Sequence, residues 1–144
     1  MTVELWIPGR APNLNDLIRE RGRGKGFAYR DLKESWERTV ALAVMKSRWC
    51  LMLPRVSVHF EIVEPNTRRD PDNIAAGTAK LVLDGLVKAG VLAGDSWAHI
   101  AGLSFSWRVG PTPGVRVVLT EVEAVGVGTA QQVRTARASR KGAA

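Results

Sequence analysis

The sequence predicts an α+β fold: a mixed, mostly antiparallel sheet of about four strands with two helices on one face. Three observations carry this. Residues 55–63 alternate with the period of a half-buried strand, two segments place apolar residues at helical spacing, and the elements follow the order β, loop, α, β, α, β, β. The 144 residues suit one hydrophobic core, expected over residues 1–124.

Val3 to Ile7 read as a short strand closed by Pro8-Gly9. Residues 9–30, rich in Gly, Arg and Asn, show no clean period and are expected to form a loop. Asp31 is placed to cap a helix from Leu32 to Trp49, whose apolar face is Leu32, Trp36, Val40, Ala43 and Val44. In 55–63, Val56, Val58, Phe60 and Ile62 face inward, and Ser57, His59 and Glu61 outward. A second helix lies within 71–89, with Leu81, Val82, Leu86 and Ala89 apolar and Gly90 as its stop. Strands are expected at 98–109 and 114–123, joined by the hairpin-length Gly110-Pro111-Thr112-Pro113-Gly114. The tail, 125–144, has few large apolar residues, and its composition predicts disorder.

The net charge is +7, and its placement is informative. Residues 9–30, with Arg19, Arg21, Arg23 and Lys25, carry a net +4, and the tail another +4, which leaves −1 for the rest. Two basic segments on a near-neutral body suit a polyanion, since neutralising phosphates releases counterions. No apolar run approaches the ~20 residues that span a bilayer, so no membrane partner is expected. One cysteine, Cys50, fits a reducing cytoplasm, and one Cys with two His excludes a structural zinc site.

The densest chemical signal is Arg68-Arg69-Asp70-Pro71-Asp72-Asn73, where the second helix begins. Two carboxylates two residues apart can converge on Mg²⁺, which needs few protein ligands and keeps several waters. Adjacent arginines make sense where another metal ligand is a phosphate, because guanidinium forks onto phosphate oxygens. Each Asp also has a purely structural use: Asp70-Pro71 matches N-cap and N1, and Asp72 complements the helix dipole. Lys80 and Asp84 share a helix face, and Asp95 follows the helix in a loop. Asp95 joins the pair if that loop returns toward it.

Arg69-Asp70-Pro71-Asp72-Asn73, Lys80, Asp84-Gly85-Leu86, Lys88-Ala89-Gly90-Val91 and Asp95-Ser96 together resemble the core of the RusA-type Holliday junction resolvases. Pro12-Asn13-Leu14-Asn15 resembles that family's Pro-x-x-Asn segment, and the likeness runs over residues 3–122. The resemblance implies a Mg²⁺-dependent endonuclease, with Mn²⁺ substituting, that acts as a homodimer on four-way DNA junctions by paired symmetric nicks. It implies Asp70, Asp72 and Asp95 as catalytic acids and metal ligands, Lys80 as the catalytic lysine, and a cytoplasmic setting. Arg68 and Arg69, with Arg19, Arg21, Arg23 and Lys25, are the expected DNA contacts.

The chain departs from the family pattern twice. Gly94 stands where the family has an acid, and Lys80 comes late, about 12 Å beyond Asp72 on a continuous helix. Gly77-Thr78 offers a helix break and restart that would bring Lys80 back toward the acids. A junction-binding protein without nuclease activity, or a flap or fork nuclease, fits the same residues. Deleting residues 125–144 is expected to lower affinity for all DNA forms and flatten the salt dependence, with cleavage at saturating protein unchanged; salt-titrated binding and single-turnover cleavage test this.

Overall fold

The computed structural model describes residues 1–22 and 27–123, without the side chains of 20–22 and 27. The elements are β1 (Thr2–Pro8), α1 (Leu14–Gly22), α2 (Phe27–Ser47), β2 (Val56–Glu64), α3 (Pro71–Lys88), β3 (Ile100–Val109) and β4 (Gly114–Glu121). The expected α+β class holds. The sheet has the order β1-β4-β2-β3, with β1–β4 and β4–β2 antiparallel and β2–β3 parallel.

The inner face of the sheet follows the period-2 reading. Val3, Leu5 and Ile7 from β1, Val56, Val58, Phe60 and Ile62 from β2, and Val115, Val117 and Leu119 from β4 join one core with the helices. Trp36, Val40, Ala43 and Val44 of α2 and Ile74, Leu81, Val82 and Leu86 of α3 supply its other wall. Lys88 of α3 reaches Glu37 of α2 at 2.8 Å, closing the exposed side of that helix pair. Among the described residues no helix is long and apolar enough to cross a membrane.

The helix count is three among the described residues, not two. Part of the segment expected to be a loop is α1. Asn13 supplies its cap, the side-chain oxygen accepting from the Asn15 N–H at 3.0 Å, and Leu17 anchors it in the core. A nine-residue helix with so small a buried face leaves little periodic trace. The next helix also begins earlier than Asp31 suggested, at Phe27.

The hairpin between β3 and β4 is not formed. These strands flank β2, one on each side, and the 110–113 connection steps across its end. The Gly110 N–H donates to the Glu64 carbonyl at 2.9 Å, and the Gly9 N–H to the Pro113 carbonyl at 3.1 Å, which fixes the crossing.

The helix restart at Thr78 is also overturned, since α3 is continuous from Pro71 to Lys88. Gly77 serves close approach instead. A Cβ there would lie 2.8 Å from the Pro12 carbonyl carbon and 3.0 Å from the Leu14 backbone nitrogen. Thr78 is wholly buried in mid-helix. The helix ends in a Schellman motif, with Gly90 at φ 81°, the Gly90 N–H on the Val87 carbonyl and the Val91 N–H on the Leu86 carbonyl. Because the neighbour of Gly77 is backbone, Gly77→Ala should destabilise by about 1–3 kcal/mol despite alanine's better helix propensity; urea denaturation measures it.

Candidate functional site

Two groups of predicted residues stand at opposite ends of the sheet. β2 runs into the turn that carries Arg68 to Asp72, so that group lies beyond the C-terminal end of β2. The loop holding Asp95 lies beside the other end. There the Leu53 N–H donates to the Val91 carbonyl at 2.7 Å and the Val56 N–H to the His99 carbonyl at 2.9 Å. Two rulers give the span between the groups. The 18 residues of α3 extend about 27 Å, and the nine of β2 about 30 Å. Asp95 therefore does not join Asp70 and Asp72 within one chain, and among the described residues no three metal-ligating side chains cluster. The expected convergence fails because β2 and β3 are parallel, so the crossover helix must carry the chain from one end back to the other.

At the first end, Asp70 is the N-cap of α3 with extended backbone, and Pro71 follows in the first turn. Its carboxylate makes no capping hydrogen bond. The structural use that the sequence allowed for this side chain is not taken up. Asp72 sits exposed in the first helical turn. Both residues are exposed beside the positive end of a helix, where anionic oxygen is stabilised.

Arg69 is held from behind. Its Nε and one terminal nitrogen donate to Glu64, the last residue of β2, which is only 5% exposed. Arg10, just after β1, donates to the same carboxylate at 2.7 Å. Burial pushes the Glu64 carboxyl up, but the hydrogen bonds from Arg69 and then Arg10 outweigh it and hold it below the ordinary glutamate value. Sequence reading missed Glu64 and Arg10. Glu64 lies one residue past the expected end of its strand, on the inward row of Val56 to Ile62. An acid on that row is a signal of a buried charge, but nothing local marks its two partners. Arg68 is exposed, its backbone N–H turned onto the Asn66 side-chain oxygen at 3.1 Å. Beside them is a hollow of ≈ 180 Å³ lined by Ile74, Trp107, Val109 and Arg69 among others.

Lys80 is not with the acids. On a continuous α3 it stands about 12 Å from Asp72 along the axis, and its ammonium pairs with Asp84 at 3.3 Å. At the far end, Asp95 is exposed and lines a cleft of ≈ 500 Å³ with Arg55, Trp97 and Leu103. Gly94 has a local reason to be glycine. A Cβ would lie 2.6 Å from the ring of His99, whose Nδ1 donates to the Pro54 carbonyl at 2.9 Å.

Arg19 is exposed on α1. The side chain of Arg21, and Arg23, Lys25 and the tail from residue 124 onward altogether, lie outside the described residues. His59 bridges two strands on the outer face, bonding Ser104 at 2.6 Å and Ser106 at 3.0 Å. Tyr29 packs against the core.

The donor set fits a hard divalent cation that keeps most of its waters. Two exposed carboxylates with arginine alongside suit Mg²⁺ better than Ca²⁺, which collects six to eight oxygens. Compared with known proteins, the chain matches no family model and no curated protein.

Glu64→Gln should cost about 1–3 kcal/mol near neutral pH, because two arginines lose a charged acceptor. Glu64 has a depressed folded value, so its contribution is present above the unfolded value of 4.5 and is lost as pH falls through the folded one. Thermal unfolding of both proteins from neutral to acid pH should show the gap closing below the ordinary glutamate range.

Proposed function

We propose that the chain is a Mg²⁺-dependent endonuclease for branched DNA, a RusA-type junction resolvase, acting as a homodimer with each metal site shared between two copies. The observation that carries this reading is the Asp70 carboxylate: it stands at a helix N-cap without capping, next to Asp72 and two arginines. Separation of Asp95 from that pair by the length of α3 supports the sharing. One chain offers two carboxylates at one end and one at the other, and a second copy related by a two-fold axis, with its ends reversed, can complete both sets.

In this reading Mg²⁺, with Mn²⁺ as substitute, is held by Asp70, Asp72 and Asp95 of the other copy, and when bound supplies an acidified water and a counter-charge for the leaving oxygen. Arg69 takes the stabilising role expected of Lys80. Glu64 fixes its guanidinium through two nitrogens, and its remaining donors stay available to a phosphate oxygen. Arg68 and Arg19 contribute phosphate affinity. Paired nicks at a two-fold junction need two such sites, which one symmetric dimer provides.

A second reading, binding without cleavage, draws on Gly94 and the distance of Lys80. Nicking of an immobile four-way junction with Mg²⁺, against EDTA and against plain duplex, decides between them. Asp70→Asn and Asp72→Asn should each abolish nicking and spare junction binding, because Asn caps helices about as well as Asp.

Mixing Asp70→Asn with Asp95→Asn, each inactive alone, should restore single-strand nicking. The mixed dimer holds one intact shared site and one doubly altered site. A mixture as dead as its components overturns the shared site, and full activity of both variants overturns the assignment.

A further inference from the structure

The edge of the sheet formed by β1 borders a groove. A hollow of ≈ 470 Å³ lies between the Glu4 to Pro8 stretch of β1 and Thr39, Ala43 and Ser47 of α2, three residues spaced about one turn apart on one helix face. Leu42, on the same helical wall, remains 56% exposed. Among the described residues no strand pairs with the outer side of β1. An open edge beside a helix is a groove that takes an extended segment as an added strand.

The register of β1 on β4 decides which backbone groups face this groove. The Met1 carbonyl accepts from the Glu121 N–H at 2.9 Å, and the Gly9 N–H donates to the Pro113 carbonyl at 3.1 Å. Bonded pairs alternate along an antiparallel ladder, so Val3, Leu5 and Ile7 bond to β4. Thr2, Glu4 and Trp6 turn their backbone groups to the outer side, and Pro8 offers a carbonyl alone. A parallel strand therefore finds donors and acceptors from Thr2 to Trp6, and its ladder stops at Pro8.

We infer that the occupant is the chain's own segment 124–133, docked on β1 as a fifth strand running parallel to it. The described residues end at Glu123, at the corner where β4 finishes beside Met1. From there the path across the end of β1, two strand spacings, and then along its seven residues is about 33 Å. Ala124 to Val133 is ten residues without a charge, and extended at about 3.3 Å each it covers the same length. Val125, Val127 and Thr129 alternate with Ala124, Gly126 and Gly128, the period of a strand. Val127 set opposite Val3 and Thr129 opposite Leu5 turn toward α2, with the glycines outward. A composition that buries too little to fold alone suffices here, because the edge supplies the hydrogen bonds.

The docked strand finishes at the Pro8 end of β1, near which Arg10 bonds Glu64 and α3 begins. Arg134, Arg137, Arg140 and Lys141 follow directly in the chain. The groove thereby carries the tail's charge to the pole that holds Asp70 and Asp72, away from the opposite corner where β4 ends. The consequence for DNA rests on the nuclease reading above, and the docking does not.

Amide hydrogen exchange on the full chain, without DNA or metal, tests the docking. The comparison is a chain ending at Glu123, which keeps every buried core residue. The Glu4 and Trp6 amides should exchange at least about tenfold more slowly in the full chain, while Leu5 and Ile7 exchange alike in both. Thr129→Pro, which removes a ladder N–H, and Leu42→Asp in the groove should each abolish the difference and leave the other amides as they were. Equal exchange of Glu4 and Trp6 in the full and shortened chains, or protection that survives Thr129→Pro, overturns the inference. Protection that rises with protein concentration overturns it in favour of a second copy's tail. Because Thr129→Pro keeps every tail charge, it should also weaken junction binding by about threefold or more. Docking with unchanged junction affinity overturns the delivery of charge, and docking in a chain that never nicks DNA defeats the nuclease reading alone.

Discussion

The parallel pairing of β2 with β3 governs the rest of the molecule. A parallel neighbour obliges the chain to return to the starting end of the sheet before the next strand begins. Here α3 makes the return, and its length separates Asp70 and Asp72 from Asp95. The same pairing puts β3 at the edge and sends β4 across to the far side of β2. Acids that follow one another along the chain are therefore placed at opposite poles, and any chemistry that needs all three needs a second molecule.

The acidic pole is held by a buried charge. Glu64 is taken out of water at the end of β2, and that costs free energy unless the charge is paired. Arg10 and Arg69 pair it from two directions, one after β1 and one ahead of α3. This three-residue cluster links the end of the first strand, the end of the second and the start of the crossover helix. It also holds the Arg69 guanidinium at a fixed position next to the exposed carboxylates. A salt bridge on the open surface would do this poorly, because solvent screening and side-chain entropy leave such pairs little net energy.

Gly77 shows how close packing serves the same end. The backbone of Pro12 and Leu14 presses on α3 at this glycine, in the second turn after Pro71, so the segment ahead of α1 is seated directly on the crossover helix. The cost in helix propensity, about 1 kcal/mol for glycine, is offset by contact that no side chain would permit.

Sequence alone determined the four strands, the helices that became α2 and α3 and the face each of these helices buries, but not α1, which lies in the expected loop. The alternation at Val56 to Ile62, the helical spacing of Trp36, Val40 and Val44, and the Gly90 stop are local patterns, and local sterics fix them. It also marked Asp70-Pro71 as a helix start, and the structure showed that the Asp70 carboxylate makes no capping hydrogen bond there. Tertiary structure decided what lies next to what. The backbone of Pro12 and Leu14 against Gly77 and Arg10 on Glu64 join residues far apart in the chain, and the isolation of Lys80 depends on α3 being continuous. Period and spacing carry no information about such pairings, because a strand's alternation is the same whether its neighbour runs parallel or antiparallel.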